Sequence, residues 1–211
     1  MKITKYVHAC LSAEIDGKTY LFDPGVFSWE SGTFEIDTLQ RLDGVVITHE
    51  HPDHFHPPFV AALLHKFPDV SFVTTPTVAK RLHDMGAVHI FTDSTGDIEV
   101  FSKKRHASLE PLDNTPENIA VHVAGQLTVG GDRHDLEASK EILALTVTAP
   151  WGSMIAAADM ALRLKPKAIV PIHDWHWNDK ARAAAYDKLQ GFFAGHDIVF
   201  HKPTDGQTIE V

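Results

Sequence analysis

The segment Thr48-His49-Glu50-His51-Pro52-Asp53-His54 holds three imidazoles and a carboxylate in the pattern His-x-His-x-Asp-His. Imidazole nitrogen and carboxylate oxygen are the donors preferred by zinc and other borderline divalent metals. Consecutive side chains on a helix or strand diverge and could not all point at one place. In a loop just past a strand end they can split, with His49 and His51 sharing one side while Asp53 and His54 turn to the other. That division suits two adjacent ions. Four groups cannot complete two sites, because a catalytic zinc usually takes three protein ligands plus solvent. More donors must come from elsewhere in the chain.

The elements that must position this loop follow from periodicity. Residues 2–7, 11–15 and 19–22 are rich in β-branched and aromatic residues and read as strands, with Asp16-Gly17 as a hairpin turn. Residues 26–41 read as a loop with one helical turn. Gly44-Val45-Val46-Ile47-Thr48 is the apolar run of a strand buried on both faces, and it leads straight into the histidines. Helical spacing follows over 58–67, behind Pro57-Pro58, and over 76–85, ended by Gly86. A strand falls at 70–74, and others at 88–92, 97–104, 119–124 and 127–130. The remainder alternates: strand 143–149, helix 153–164, strand 167–172, helix 179–193, then short strands at 197–200 and 207–211. A strand-rich start and an alternating end predict an α/β (α+β) architecture of two packed sheets with helices outside. One domain over 1–211 is the simplest organisation.

Three further donors lie at the C-terminal edge of expected strands, as the first run does. His106 comes just after the 97–104 strand. Asp132 follows the 127–130 strand and Gly130-Gly131, a pair that lets the backbone approach closely. His173 ends the run Ala168-Ile169-Val170-Pro171-Ile172.

Composition narrows the class. The chain has 211 residues, 44% hydrophobic and 22% charged, with a formal net charge of -9 and 15 histidines. A globular protein of this charge repels polyanions, which argues against nucleic acid or an anionic membrane as partner. Cys10 alone cannot form an intrachain disulfide. The polar N-terminus lacks a signal-peptide core, and no apolar run reaches the ~20 residues of a spanning helix. A cytoplasmic protein acting on a small-molecule substrate is expected, and a homo-oligomer is compatible with all of this.

The run from His49 to His54 after Val45-Val46-Ile47-Thr48 resembles the signature of the metallo-β-lactamase superfamily. The resemblance extends through His8-Ala9-Cys10, Leu21-Phe22-Asp23-Pro24-Gly25, His106-Ala107, Gly131-Asp132 and Pro171-Ile172-His173-Asp174. Order and compact length are most similar to the branch named after the L-ascorbate-6-phosphate lactonase, the UlaG-like hydrolases. The resemblance implies a four-layer αββα sandwich of two mixed sheets with two divalent ions at one edge. Zinc is the first expectation, with manganese, iron and nickel as alternatives. It assigns His49, His51 and His106 to the first ion, Asp53, His54 and His173 to the second, and Asp132 to a bridge. Two dications lower the pKa of a bridging water from 15.7 towards ~7, giving a hydroxide nucleophile. Asp53 could then accept or relay a proton, so Asp53 and Asp132 are the catalytic candidates. The substrate expected is a small ester, lactone, amide or phosphoester. Activity should fail with chelator, and below about pH 6.5 as the histidines protonate.

Around these ligands stand residues with two readings each. Asp23 orients a ligand imidazole from beneath, or caps its turn. Thr48 does the same through its hydroxyl, or ends the strand. His8 lines the pocket, or packs in the core; the family's preceding glycine is Val7 here. Arg133 binds a substrate anion, or pairs with a neighbouring Asp. Trp151, Trp175 and His176 wall the pocket, or form core and lid. Other chemistries on one fold remain open: an iron-loaded oxidoreductase or thiolester-type enzyme, and a metal-stabilised sensor or interaction module without catalysis.

Overall fold

The computed structural model describes residues 1–105 and 115–211. The first sheet has strand order β13-β1-β2-β3-β4-β5-β6. Its members are β1 (Lys2–Lys5), β2 (Leu11–Ile15), β3 (Lys18–Phe22), β4 (Gly44–Ile47), β5 (Ser71–Thr74), β6 (His89–Phe91) and β13 (Gln207–Glu210). The hairpin from β2 to β3 turns at Asp16 and Gly17, both at positive φ, as the dipeptide predicted. From β3 to β6 the pairing is parallel; from β13 to β3 it is antiparallel.

The second sheet has order β12-β11-β10-β9-β8-β7. It comprises β7 (Ile98–Arg105), β8 (Glu117–Val123), β9 (Leu127–Val129), β10 (Ile142–Thr146), β11 (Ala168–Ile172) and β12 (Val199–Phe200). It is mixed as well, antiparallel from β7 to β9 and parallel from β9 to β12. Helices α1 (Val26–Glu30), α2 (Pro57–Lys66) and α3 (Pro76–Asp84) pack on the first sheet. Helices α4 (Met154–Leu164) and α5 (Asp179–Ala194) pack on the second. No helix among the described residues is long and apolar enough to cross a membrane.

Strand alternation builds the layers. Val46 and Val73 face the other sheet and join Phe22, Val121, Val129, Ala144 and Val170 in a central core. Their neighbours Val45, Ile47 and Phe72 face α2 and α3 instead, and Leu143, Leu145 and Ile169 face α4 and α5. Both faces of β4, β5, β10 and β11 are thus covered, which is why these strands are continuous apolar runs rather than alternating ones. Burying each such side chain contributes about 1.5–3 kcal/mol. The expected loop over 26–41 has its one helical turn as α1, and beyond it a 3₁₀ turn at Ile36–Thr38. Trp29, Phe34, Ile36 and Leu39 pack there on the α2 side of the first sheet. The apolar residues are spaced too irregularly to show a helical period, so tertiary packing decides this segment.

Candidate metal centre

Each candidate donor among the described residues sits just past a strand end. β1, β3 and β4 run in one direction, and each ends at the same edge of the first sheet. His8 follows β1, Asp23 follows β3, and Thr48 to His54 follow β4. In the second sheet Asp132 follows β9 and His173 follows β11. Two backbone hydrogen bonds join the sheets at this edge, Ile119 N–H to the Thr48 carbonyl at 3.0 Å and His173 N–H to the His8 carbonyl at 3.0 Å.

The side chains converge in two overlapping sets, His8–Asp53–His54–His173 and His49–His54–Asp132, with donor atoms within 4.8 Å of one another in each. Asp132 Oδ1 lies 3.1 Å from His54 Nε2 and 3.1 Å from His173 Nε2. Asp53 Oδ2 lies 3.7 Å from both nitrogens. His49 Nε2 is 3.9 Å from Asp132 Oδ2. The His51 ring sits 4.7 Å from that of His49, centroid to centroid. His106 lies outside the described residues.

Far-side hydrogen bonds fix what each imidazole can do. Asp23 is fully buried, and its carboxylate accepts from His54 Nδ1–H at 2.8 Å, Thr48 N–H at 2.7 Å and the Thr48 hydroxyl at 2.9 Å. With its proton committed to Asp23, the Thr48 hydroxyl oxygen accepts from His49 Nδ1–H at 3.1 Å. His173 Nδ1–H donates to the Thr148 carbonyl at 2.6 Å. In each of these histidines Nδ1 carries a proton, so Nε2 is the nitrogen turned to the centre and the one a metal ion would meet, displacing any proton held there. His8 is the reverse. Its Nδ1 accepts the Trp175 N–H at 3.4 Å, so Nε2 carries the proton and donates to Asp53 Oδ2 at 3.0 Å.

This set fits divalent ions. His54 Nε2, His173 Nε2 and Asp132 Oδ1 are buried, and no hydrogen bond among the described residues satisfies them. Buried polar atoms left unsatisfied are costly. Ligands ~2.1 Å from a tetrahedral ion lie about 3.4 Å apart, close to the 3.1 and 3.7 Å separations here. Burial pushes His54 downwards, but the surrounding carboxylates of Asp132, Asp23 and Asp53 outweigh it and raise its pKa well above 6.5. Asp132 is held well below the usual carboxylate range, His54 and His173 overriding the burial that opposes them. Burial, only partly offset by Asp53, lowers His8 to about 4, so its ring is neutral at pH 7.

The remaining candidates divide. Asp23 and Thr48 bond ligand imidazoles, the first of the two readings given for each. Trp151 donates its indole N–H to Asp132 Oδ2 at 3.3 Å. Trp175 is half exposed and stacks on Phe27 at 4.0 Å and 10°. His176 stands 5.9 Å from His173, ring to ring. Arg133 takes the other reading: it is buried, and donates to Asp135 at 2.6 Å and Ser102 at 2.6 Å. Its charge is met by a carboxylate two residues away, so no substrate anion is needed to explain it. His134, a rival donor by proximity, gives Nε2–H to the Thr146 carbonyl at 2.7 Å.

Sequence reading missed Asn118 and Asp174. Asn118 Oδ1 accepts the Asp132 N–H at 3.1 Å, while its amide donates to the Gly130 and Ile119 carbonyls, holding the turn that presents Asp132. Its signal was an amide directly before the apolar run Ile119-Ala120-Val121. Asp174 is fully buried behind His173.

Comparison with known proteins agrees with this fold. The Beta-lactamase superfamily domain matches residues 2–173. Protein Rv0786c of Mycobacterium tuberculosis is 29% identical over 204 residues, covering 90% of this chain and 91% of its own. Igni18, a novel metallo hydrolase from the archaeon Ignicoccus hospitalis, has a TM-score of 0.72 at 19% identity, with 99% of this chain and 97% of that one aligned. CmlA, a diiron β-hydroxylase from Streptomyces venezuelae, has a TM-score of 0.67 at 13% identity, over 100% of this chain and 54% of that one. Likeness at such identities concerns the fold alone, whereas the domain match spans most of the sequence. The chain belongs to the metallo-β-lactamase superfamily and carries its fold.

Proposed function

We propose that the protein is a binuclear metal-dependent hydrolase of the UlaG-like kind, acting on a small ester, lactone, amide or phosphoester. One observation carries this reading. Buried Nε2 atoms of His54 and His173 converge on Asp132 Oδ1, and none of these three atoms has a hydrogen-bond partner among the described residues. In the proposed assignment, His49, His51 and His106 would hold one ion and Asp53, His54 and His173 the other, with Asp132 available to both. Such ions would lower the pKa of water towards ~7 and polarise a substrate oxygen. Asp53 would accept the proton of the attacking water and relay it to the leaving oxygen or nitrogen as the bond breaks, and the His8 N–H keeps its carboxylate aimed. Trp151 constrains Asp132, while Trp175 offers an aromatic surface at the mouth. Zinc is the first choice of metal.

The test is elemental analysis of protein purified without added metal, followed by a panel of esters, lactones, amides and phosphoesters with and without chelator. Two divalent ions per chain and chelator-sensitive hydrolysis are expected. Full turnover by protein rigorously stripped of metal would sink the mechanism. Metal without turnover in zinc, manganese, iron or nickel would favour a non-catalytic module. An iron-loaded oxidoreductase is the second reading, supported by the all-nitrogen-and-oxygen donor set and by the fold shared with CmlA. Iron in the purified protein, with no hydrolysis, would favour it.

A further inference from the structure

Behind His173 lies a cluster of charges that the proposed chemistry does not use. Asp174 and Lys5 are both fully buried, with Lys5 Nζ 3.2 Å from Asp174 Oδ1. Tyr186 donates its hydroxyl to Asp174 Oδ2 at 2.6 Å, and Arg182 Nη1 lies 3.5 Å from the same oxygen. Asp205 closes the cluster, 2.7 Å from Lys5 and 2.8 Å from Arg182. Two elements, the end of β1 and helix α5, therefore reach the Asp174 carboxylate, and the turn before β13 braces both through Asp205.

A buried ion pair is weak evidence for stability, because desolvating both charges offsets their attraction. Fixing one geometry is a better explanation here, since His173 needs its geometry fixed. Its backbone sits in the left-handed region at φ 65°, a strained conformation for a residue with a Cβ. Such strain persists only where the surroundings over-determine it. Behind it, Asp174 is held by three side chains from two elements. In front, the His173 N–H is bound to the His8 carbonyl and its Nδ1 to the Thr148 carbonyl. We propose that Asp174, clamped by Lys5, Arg182 and Tyr186, is a positioning residue for His173, setting the direction in which its Nε2 meets a metal ion. The inference rests on the metal-binding reading above.

The test measures zinc affinity by competition with a chromophoric chelator, the visible absorption of the cobalt-loaded protein, and the thermal midpoint. Asp174→Asn should weaken one of the two zinc sites 10–100-fold and alter the cobalt bands. Tyr186→Phe keeps the ring and its packing but loses the donor, and should shift affinity in the same direction by less. Leu189→Ala, a core truncation on the same helix, should lower the midpoint while affinity and bands stay as in the unmodified protein. Unchanged affinity and bands in both Asp174→Asn and Tyr186→Phe would overturn the proposal. So would a loss of affinity in Leu189→Ala matching theirs at equal loss of midpoint. Should Asp174→Asn not fold, Tyr186→Phe alone decides. Unmodified protein that binds no metal would overturn the metal-binding reading and this one together, whereas tight metal binding indifferent to these variants overturns only this one.

Discussion

Each imidazole at the centre is defined by what its far nitrogen does. His54 and His173 donate from Nδ1 and turn Nε2 to the carboxylates of the centre, whereas His8 accepts at Nδ1 and gives its Nε2–H to Asp53. A protonated nitrogen cannot ligate, so His8 acts on Asp53 rather than on an ion. His8→Ala should reduce kcat by roughly 10–100-fold with two ions still bound, the scale typical of losing a residue that orients a ligand. His8→Gln, which restores an N–H at similar reach, should recover part of that loss. Kinetics together with elemental analysis check this, and loss of one ion in His8→Ala would make His8 a ligand instead. The donors themselves were legible, because few arrangements explain three histidines and an aspartate in six residues. Tautomers were not, since they depend on groups such as the Thr148 carbonyl and the Trp175 N–H that carry no sequence signal. For the same reason the two readings of Arg133 could be separated only by seeing Asp135 and Ser102 beside it.

At the scale of elements, one edge of each sheet supplies the donors. Periodicity reveals strands buried on both faces as apolar runs, so β4 and β11, with the residues after them, were readable from sequence. Boundaries shifted by one to three residues where hydrogen bonding stops before the apolar run does, as at β10, which ends at Thr146 rather than 149. Contact between loops is what periodicity cannot encode. The Asp23-Pro24-Gly25 turn packs against the histidine loop, with Val26 N–H bonded to the Pro52 carbonyl at 2.8 Å and His56 N–H to the Pro24 carbonyl at 3.0 Å. A Cβ on Gly25 would stand 1.7 Å from the Asp53 carbonyl oxygen. Gly25→Ala must therefore push Asp53 and His54 away from their partners. A destabilisation of about 1–3 kcal/mol is expected, as for overpacking in a filled site, together with weakened metal binding. Denaturant midpoints and metal content measure the two effects. Ordinary metal content in Gly25→Ala would mean that the histidine loop adapts without cost to the centre.

For the whole molecule, packing within the helix-side face of the second sheet also buries a histidine whose titration reports on folding. His122 on β8 is buried, stacked on Phe101 at 3.9 Å and 6°, and hydrogen-bonded to Thr128 at 2.9 Å. Burial, reinforced by Lys140 and opposed by Glu99, lowers its pKa to about 4 from 6.5. The sign follows from which state binds the proton first. Above pH 6.5 the ring is neutral in both states and folding carries no penalty from it. As the pH falls through 6.5 the unfolded chain takes up a proton that the folded chain refuses until about pH 4, so stability declines across that window. His122→Phe keeps the stack on Phe101 and removes the titration, leaving Thr128 without its ring partner. Its urea midpoint should start lower at pH 7.5, yet fall less between pH 7.5 and 5 than that of the unmodified protein. The comparison is best made on metal-free protein, so that proton release from the metal centre does not enter the slope. Equal declines in the two proteins would show that His122 titrates normally in the fold and that the acid sensitivity arises from other groups.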